Sequence, residues 1–213
     1  MPVWTIVVAA GSGTRFGRAK QYERLGDRRV LDWALEAARA VSEGVVLVVP
    51  PDSAARREPG VDAVVPGGAT RSESVRAGLA AVPGEADVVV VHDAARPLAA
   101  IALFEAVVAA VAAGADAAIP AIPVSNTVKR VEGERVVSTV ERADLVEVQT
   151  PQCFAASALR AAHAGEAEAT DDAALIEAAG GSVVVVPGDP ANLKLTHPHD
   201  LVVARALLGE RPA

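Results

Sequence analysis

Four short apolar runs constrain this chain more than any other feature. Thr5–Ala10 (TIVVAA), Val45–Val49 (VVLVV), the valines of Asp87–Val91 (DVVVV) and Val183–Val186 place apolar or β-branched side chains at consecutive positions. A strand with one face in water alternates apolar and polar residues, whereas a strand without alternation must be covered on both faces. The stretches between these runs have helical spacing. In Val30–Val41 (VLDWALEAARAV), Leu31, Ala34, Leu35 and Ala38 share one face. Strands that alternate with helices predict an α/β protein with a mostly parallel sheet between helical layers.

The rest of the chain fits that frame. Asp62–Val65 is a third strand in order, followed by Pro66-Gly67-Gly68. A helix over 70–82 opens with Thr70-x-x-Glu73, a capping box. Helices are expected over 101–113, 155–163, 171–179 and 198–208, with strands over 116–119 and 146–149. Thr170-Asp171-Asp172 reads as a cap with acid in the first turn, and Thr196 ahead of Pro198 as the cap of the last helix. Thr127–Thr139 differs: two β-prone segments flank Glu132-Gly133-Glu134, which is a hairpin signal. A hairpin inside a βαβ series is an excursion from the sheet. The expected architecture is therefore one three-layer α/β/α domain over 1–213, with a mostly parallel twisted sheet and a protruding β-hairpin arm at about 122–145 that serves dimerisation.

Composition excludes several classes. No apolar run approaches the ~18 residues of a membrane span, and Met1-Pro2-Val3-Trp4 leads into a strand without a basic leader, so a cytoplasmic protein with no membrane partner is expected. Cys153 is the single cysteine, which rules out an intramolecular disulfide and a cysteine-based zinc site. A net charge of −7 argues against nucleic-acid binding, so an anionic ligand must be met by a local basic cluster. Of 20 Lys and Arg residues only Lys20, Lys129 and Lys194 are lysines, which marks these positions as candidates for a compact ammonium.

Most candidate chemistry falls where a parallel strand ends, the ligand-binding edge of an open α/β sheet. The loop after the first strand, Gly11-x-Gly13-x-Arg15-x-Gly17-Arg18-x-Lys20, offers backbone N–H groups and basic side chains to a polyanion. It lacks the Gly-Lys-Ser/Thr ending of a P-loop and the third glycine of a dinucleotide fingerprint. An ordinary strand-to-helix turn with solvated arginines is the competing reading, and Arg18 is expected to be solvated. Asp93, in His92-Asp93-Ala94-Ala95-Arg96-Pro97, stands at the mouth of a buried strand, where a single carboxylate can hold a phosphate-bound Mg²⁺. Gly67-Gly68 can lie against a flat base while Ser74 reads its edge, and Lys194 follows the last strand. His92, His163, His197 and His199 show neither metal spacing nor a triad arrangement.

The ordered set Ala9-Ala10-Gly11-x-Gly13-x-Arg15, Lys20-Gln21-Tyr22, Gly67-Gly68 with Ser74, Val91–Pro97, Thr127-x-Lys129, Thr150-Pro151-Gln152 and Asn192-x-Lys194-x-Thr196 resembles the 2-C-methyl-D-erythritol 4-phosphate cytidylyltransferase family nearly end to end. The resemblance implies a Rossmann-like nucleotidyltransferase fold and transfer of a cytidylyl group from CTP to a sugar-alcohol phosphate. It places Ala9, Ala10, Gly11, Gly13, Gly68 and Ser74 around the nucleotide, with Arg15, Lys20 and Lys194 as catalytic cations at the phosphates. It gives Asp93 the divalent cation, Mg²⁺ or another. Arg96, Thr127, Arg142 and Thr150 would contact the acceptor, and a homodimer would exchange arms so that Thr127 and Arg142 complete the partner's site. Two departures stand out. Ala69 replaces an acidic residue often found after the double glycine, and the interval from Arg15 to Lys20 is shorter than in some members. Ribitol 5-phosphate cytidylyltransferases share most of these motifs, and a non-catalytic CTP-binding module is the reading from another class.

Overall fold

The structure, a computed structural model, describes residues 1–11, 13–55 and 57–209. The four apolar runs lie in the strands β1 (Val3–Val8), β4 (Gly44–Val49), β6 (Val88–Asp93) and β12 (Val183–Pro187). Between them come the short ribbon β2 (Arg24–Leu25) and β3 (Arg28–Arg29), then α1 (Val30–Val41), β5 (Ala63–Pro66) and α2 (Arg71–Ala81). After β6 come α3 (Ile101–Ala112), β7 (Ala117–Pro123), the hairpin β8 (Val128–Glu132) and β9 (Arg135–Val140), and β10 (Val146–Val148). The rest is β11 (Gln152–Ala155), α4 (Ala156–Ala162), α5 (Asp172–Ala178) and, after β12, α6 (Pro198–Gly209).

The main sheet runs β10-β7-β11-β6-β1-β4-β5, with β12 on β7. The pairs β1–β4, β1–β6, β4–β5 and β7–β12 are parallel. For the runs in β1, β4 and β6 the missing alternation now has its explanation. Val183–Val186 departs from it, because β12 pairs only with β7 among the described strands and leaves Val184 and Val185 exposed. Val7, Val45, Leu47, Val88 and Val90 pack with α1 and α3 on one face. Ile6, Val46, Val48, Val89 and Val91 pack with α2, α4 and α5 on the other. Each such buried side chain contributes about 1.5–3 kcal/mol of apolar burial. A third cluster of Phe16, Leu25, Val30, Leu98, Leu195 and Leu201 fastens the glycine-rich loop and α6 to the edge of the sheet.

Some expectations need correction. Gln152–Ala155 is a strand, β11, inserted antiparallel between β6 and β7, where the sequence reading placed no strand and began a helix at 155. Thr196 does not cap α6: its hydroxyl donates to Lys194 O, and Asp200 Oδ2 instead accepts from the Thr196 and His197 amides at 2.6 and 2.7 Å. The other two caps are as expected, with Thr70 and Glu73 forming the box on α2 and Asp171 accepting from Ala174 N on α5. The hairpin β8–β9 pairs with no other described strand, and its turn uses Gly133 at φ +58°. Among the described residues no helix is long and apolar enough to cross a membrane.

Candidate active site

At the C-terminal edge of the sheet lies a cavity of about 470 Å³. That is within the range of small-molecule sites. One wall is the loop after β1. Ala9 N donates to Val48 O, and the buried Gln21 side chain donates back to Ala9 O at 3.0 Å, holding the loop against the sheet. Gly13 has φ +67°, and its carbonyl accepts from Phe16 N and Gly17 N, so the loop curls into a tight turn while Phe16 plugs the third core cluster. Ala9, Ala10, Gly11, Gly13, Arg15 and Lys20 all line the cavity. Arg18 does not; its exposed side chain pairs with Glu23 at 2.5 Å.

The opposite wall is the turn from β5 into α2. Gly68 and Ser74 line it. A Cβ on Gly67 would overlap the Ala10 methyl and sit 2.8 Å from Ser74 Oγ, so glycine here lets the two walls meet. Ser74 Oγ donates to Thr70 O and accepts from Gly68 N, and Glu73 accepts from Ala69 N, so these groups brace one another.

The floor is the end of β6. The Asp93 carboxylate meets Lys194 Nζ at 2.6 Å and Arg71 Nε at 3.5 Å. Burial alone would raise its pKa; Lys194, Arg71 and Arg96 outweigh it and hold the carboxyl well below the usual carboxylate range. Lys20 donates to Leu195 O at 2.5 Å, and burial, then the charge of Lys194, push its pKa down. Arg15, Lys20, Arg71 and Lys194 thus converge around a single carboxylate lining the same cavity. An excess of positive charge in a partly desolvated cleft is a site for a polyanion.

The acceptor set is placed differently. Thr150 lies buried beneath the floor, where its hydroxyl accepts from Asp93 N at 3.1 Å and donates to His92 Nδ1 at 3.2 Å. His92 Nε2 then donates to Arg96 O, and burial lowers the His92 pKa to about 4, so this ring is a neutral strut. Arg96 donates to Asn192 O at 2.7 Å and Val148 O at 3.3 Å, tying three segments of the edge together. Arg142 holds Val124 O and Ser125 O at the base of the exposed arm. Arg96, Thr127, Arg142 and Thr150 do not line the cavity of the single chain. The sequence reading missed Arg71, which it left unassigned in the Gly67–Ser74 segment; its position three residues before Ser74, one helical turn away, was the available signal.

The family model for 2-C-methyl-D-erythritol 4-phosphate cytidylyltransferase (IspD) matches residues 3–210. The chain belongs to this family. The cytidylyltransferase of Streptomyces coelicolor is 45% identical over 97% of this chain and 84% of its own length. The bifunctional enzyme IspD/IspF of Solidesulfovibrio magneticus is 43% identical over 94% of this chain, which spans only 56% of that relative. Among solved structures, 2-C-methyl-D-erythritol 4-phosphate cytidylyltransferase from Thermus thermophilus superposes with a TM-score of 0.82 at 36% identity, covering 96% of this chain and 98% of that one. The chain is accordingly a nucleotidyltransferase with the cytidylyltransferase activity of this family, in isoprenoid precursor synthesis, on a Rossmann-like nucleotidyltransferase fold.

Proposed function

We propose that CTP occupies the cavity at the sheet edge and that a phosphate oxygen of 2-C-methyl-D-erythritol 4-phosphate attacks its α-phosphorus directly, releasing pyrophosphate and forming the CDP-linked product. The observation that carries this reading is the convergence of Arg15, Lys20, Arg71 and Lys194 around Asp93. The attacking phosphate is an anion at neutral pH and needs no general base, and the described cavity lining contains no histidine. What the reaction needs is alignment of two anions and stabilisation of charge at the α-phosphate. Arg15, Lys20 and Lys194 supply that charge. Ala9, Ala10, Gly11, Gly13, Gly68 and Ser74 receive the nucleoside, with the backbone doing what the acidic residue at position 69 does elsewhere.

A divalent cation, Mg²⁺ or another, fits the donor set: Asp93 is a hard oxygen ligand with a side chain 10% exposed, and phosphate oxygens and water complete such a shell. Asp93 would hold the ion, which supplies charge neutralisation on the triphosphate. To do so Asp93 must exchange its contact with Lys194 or Arg71, which releases an ammonium or guanidinium toward the phosphates.

The chain acts as a homodimer through the arm. Support comes from the exposure of Val131, Val136, Val137 and Val146 on and beside a hairpin that has no partner among the described strands of the main sheet. In that assembly Thr127 and Arg142 of one copy complete the acceptor site of the other, while Arg96 and Thr150 shape it from below. The test is pyrophosphate release from CTP and Mg²⁺ with either methylerythritol phosphate or ribitol 5-phosphate. Release with the former alone supports the reading. Release only with ribitol phosphate replaces the acceptor, and binding of CTP without release leaves a non-catalytic module.

A further inference from the structure

Behind the cavity wall lies a buried group that the reaction described above does not use. Arg71 reaches Asp93 with Nε and, with Nη1, donates to Asp172 Oδ2 at 2.7 Å. Asp172 is wholly buried, and its other oxygen, Oδ1, accepts from His163 Nε2 at 2.9 Å. His163 is also buried; among the described residues its Nδ1 meets no partner and Asp172 is the ring's one hydrogen-bond partner. The positions are secured locally: Asp171 caps α5 and accepts from the Gln152 side chain at 2.8 Å, and His163 ends α4. A carboxylate buried with only an arginine and a histidine is a poor device for stability, because desolvation consumes most of the attraction. It is an effective device for fixing the direction of an arginine.

Resting on the assignment of the cavity to CTP, we propose that Asp172, backed by His163, is a positioning residue for the nucleotide site, holding Arg71 at the cavity wall when Asp93 turns to the cation and the triphosphate. Without this second anchor, Arg71 would be left with no ion pair among the described residues once Asp93 is engaged, and its guanidinium would have to be ordered at the expense of binding. With it, the guanidinium is already in place. The relay crosses from α5 through α2 to the end of β6, and it joins residues that only the fold brings together.

The test is the dissociation constant of CTP, measured by calorimetry with Mg²⁺ and again in EDTA, together with thermal melting of the free protein. Asp172→Asn should weaken CTP about tenfold, the weight of one charge-assisted hydrogen bond. Arg71→Ala should weaken it at least as much, and the double variant should be no worse than Arg71→Ala, because Asp172 acts through Arg71. A lower melting temperature with unchanged CTP affinity, or effects that multiply in the double variant, would overturn the proposal. Should Asp172→Asn fail to fold, His163→Leu removes the donor behind Asp172 and His163→Gln restores an amide that can replace it. Weakened binding in the first with recovery in the second supports the relay, and wild-type affinity in His163→Leu overturns it. Wild-type protein that binds no CTP removes the nucleotide-site reading itself, a result distinct from all of these.

Discussion

Replacing Lys194 with alanine separates what this residue does for the fold from what it does for the reaction. The Lys194 ammonium lies 2.6 Å from Asp93, but its side chain is 42% exposed, so solvent screens the pair. Arg71 remains 3.5 Å from the same carboxylate after the change, so Asp93 is not left as an uncompensated buried charge. Removing Lys194 also relieves one of the like charges that lower the Lys20 pKa. The expected loss of stability is therefore that of an exposed ion pair, up to about 1 kcal/mol. For a chain of this size it appears as a fall of about 2–4 °C in melting temperature. The transition state loses far more, because charge that develops at the α-phosphate is left without a preorganised cation. By analogy with removal of a single oxyanion donor, kcat should fall about 100- to 1000-fold, or roughly 2.7–4 kcal/mol. The assay pairs steady-state pyrophosphate release with a melting curve. A kcat within a few-fold of wild type would remove Lys194 from the mechanism. A fall of more than about 10 °C would recast it as a structural residue, since that exceeds the weight of a screened pair.

Three further outcomes follow from the geometry. If arms are exchanged, equal mixing of Lys194→Ala and Arg142→Ala subunits should restore about a quarter of wild-type activity, because half of the dimers are mixed and one of their two sites carries neither lesion; no recovery after confirmed subunit exchange refutes the swap. Gly67→Ala must displace Ala10 or Ser74, costing about 1–3 kcal/mol of overpacking and raising the KM for CTP, and unchanged nucleotide kinetics would show that these two walls do not form the base site. Burial pushes the Cys153 thiol up to about 12 from 9.0, so the folded chain keeps its proton where the unfolded chain loses it; stability should fall as pH rises above about 9, and the native thiol should resist alkylation at pH 8. Rapid labelling of the native protein would contradict its burial.

How legible each part was depends on where its physical cause lies. The runs in β1, β4 and β6 announced strands covered on both faces because burial is written into nearly every residue of them. Val183–Val186 carries the same pattern on a strand that pairs only with β7 among the described strands and stays largely exposed. The Thr70–Glu73 box marked the start of α2 because both partners lie within one turn. Gln152–Ala155 carries no such period: four residues between Pro151 and a helix become a strand only because Val88–Val91 and Ala117–Ala118 present edges on either side. The glycines, Arg15, Lys20, Asp93 and Lys194 come together at one cavity because strand ends collect at one edge, which the sequence pattern makes legible. Arg71 was not legible in this way, since Asp172, the partner that gives it meaning, is 101 positions away in sequence. Thr196 misled for a related reason, as Asp200 reaches back to the same amides from inside the helix and leaves the threonine hydroxyl no capping role.

The most direct test of the account is a crystal structure of the chain with CTP and Mg²⁺. The account predicts the cytosine between the Ala9–Gly11 segment and Gly68 with Ser74, the metal on Asp93, and the α-phosphate within reach of Arg15, Lys20 and Lys194. A nucleotide bound with its phosphates away from those three side chains, or outside the cavity at the sheet edge, would contradict it.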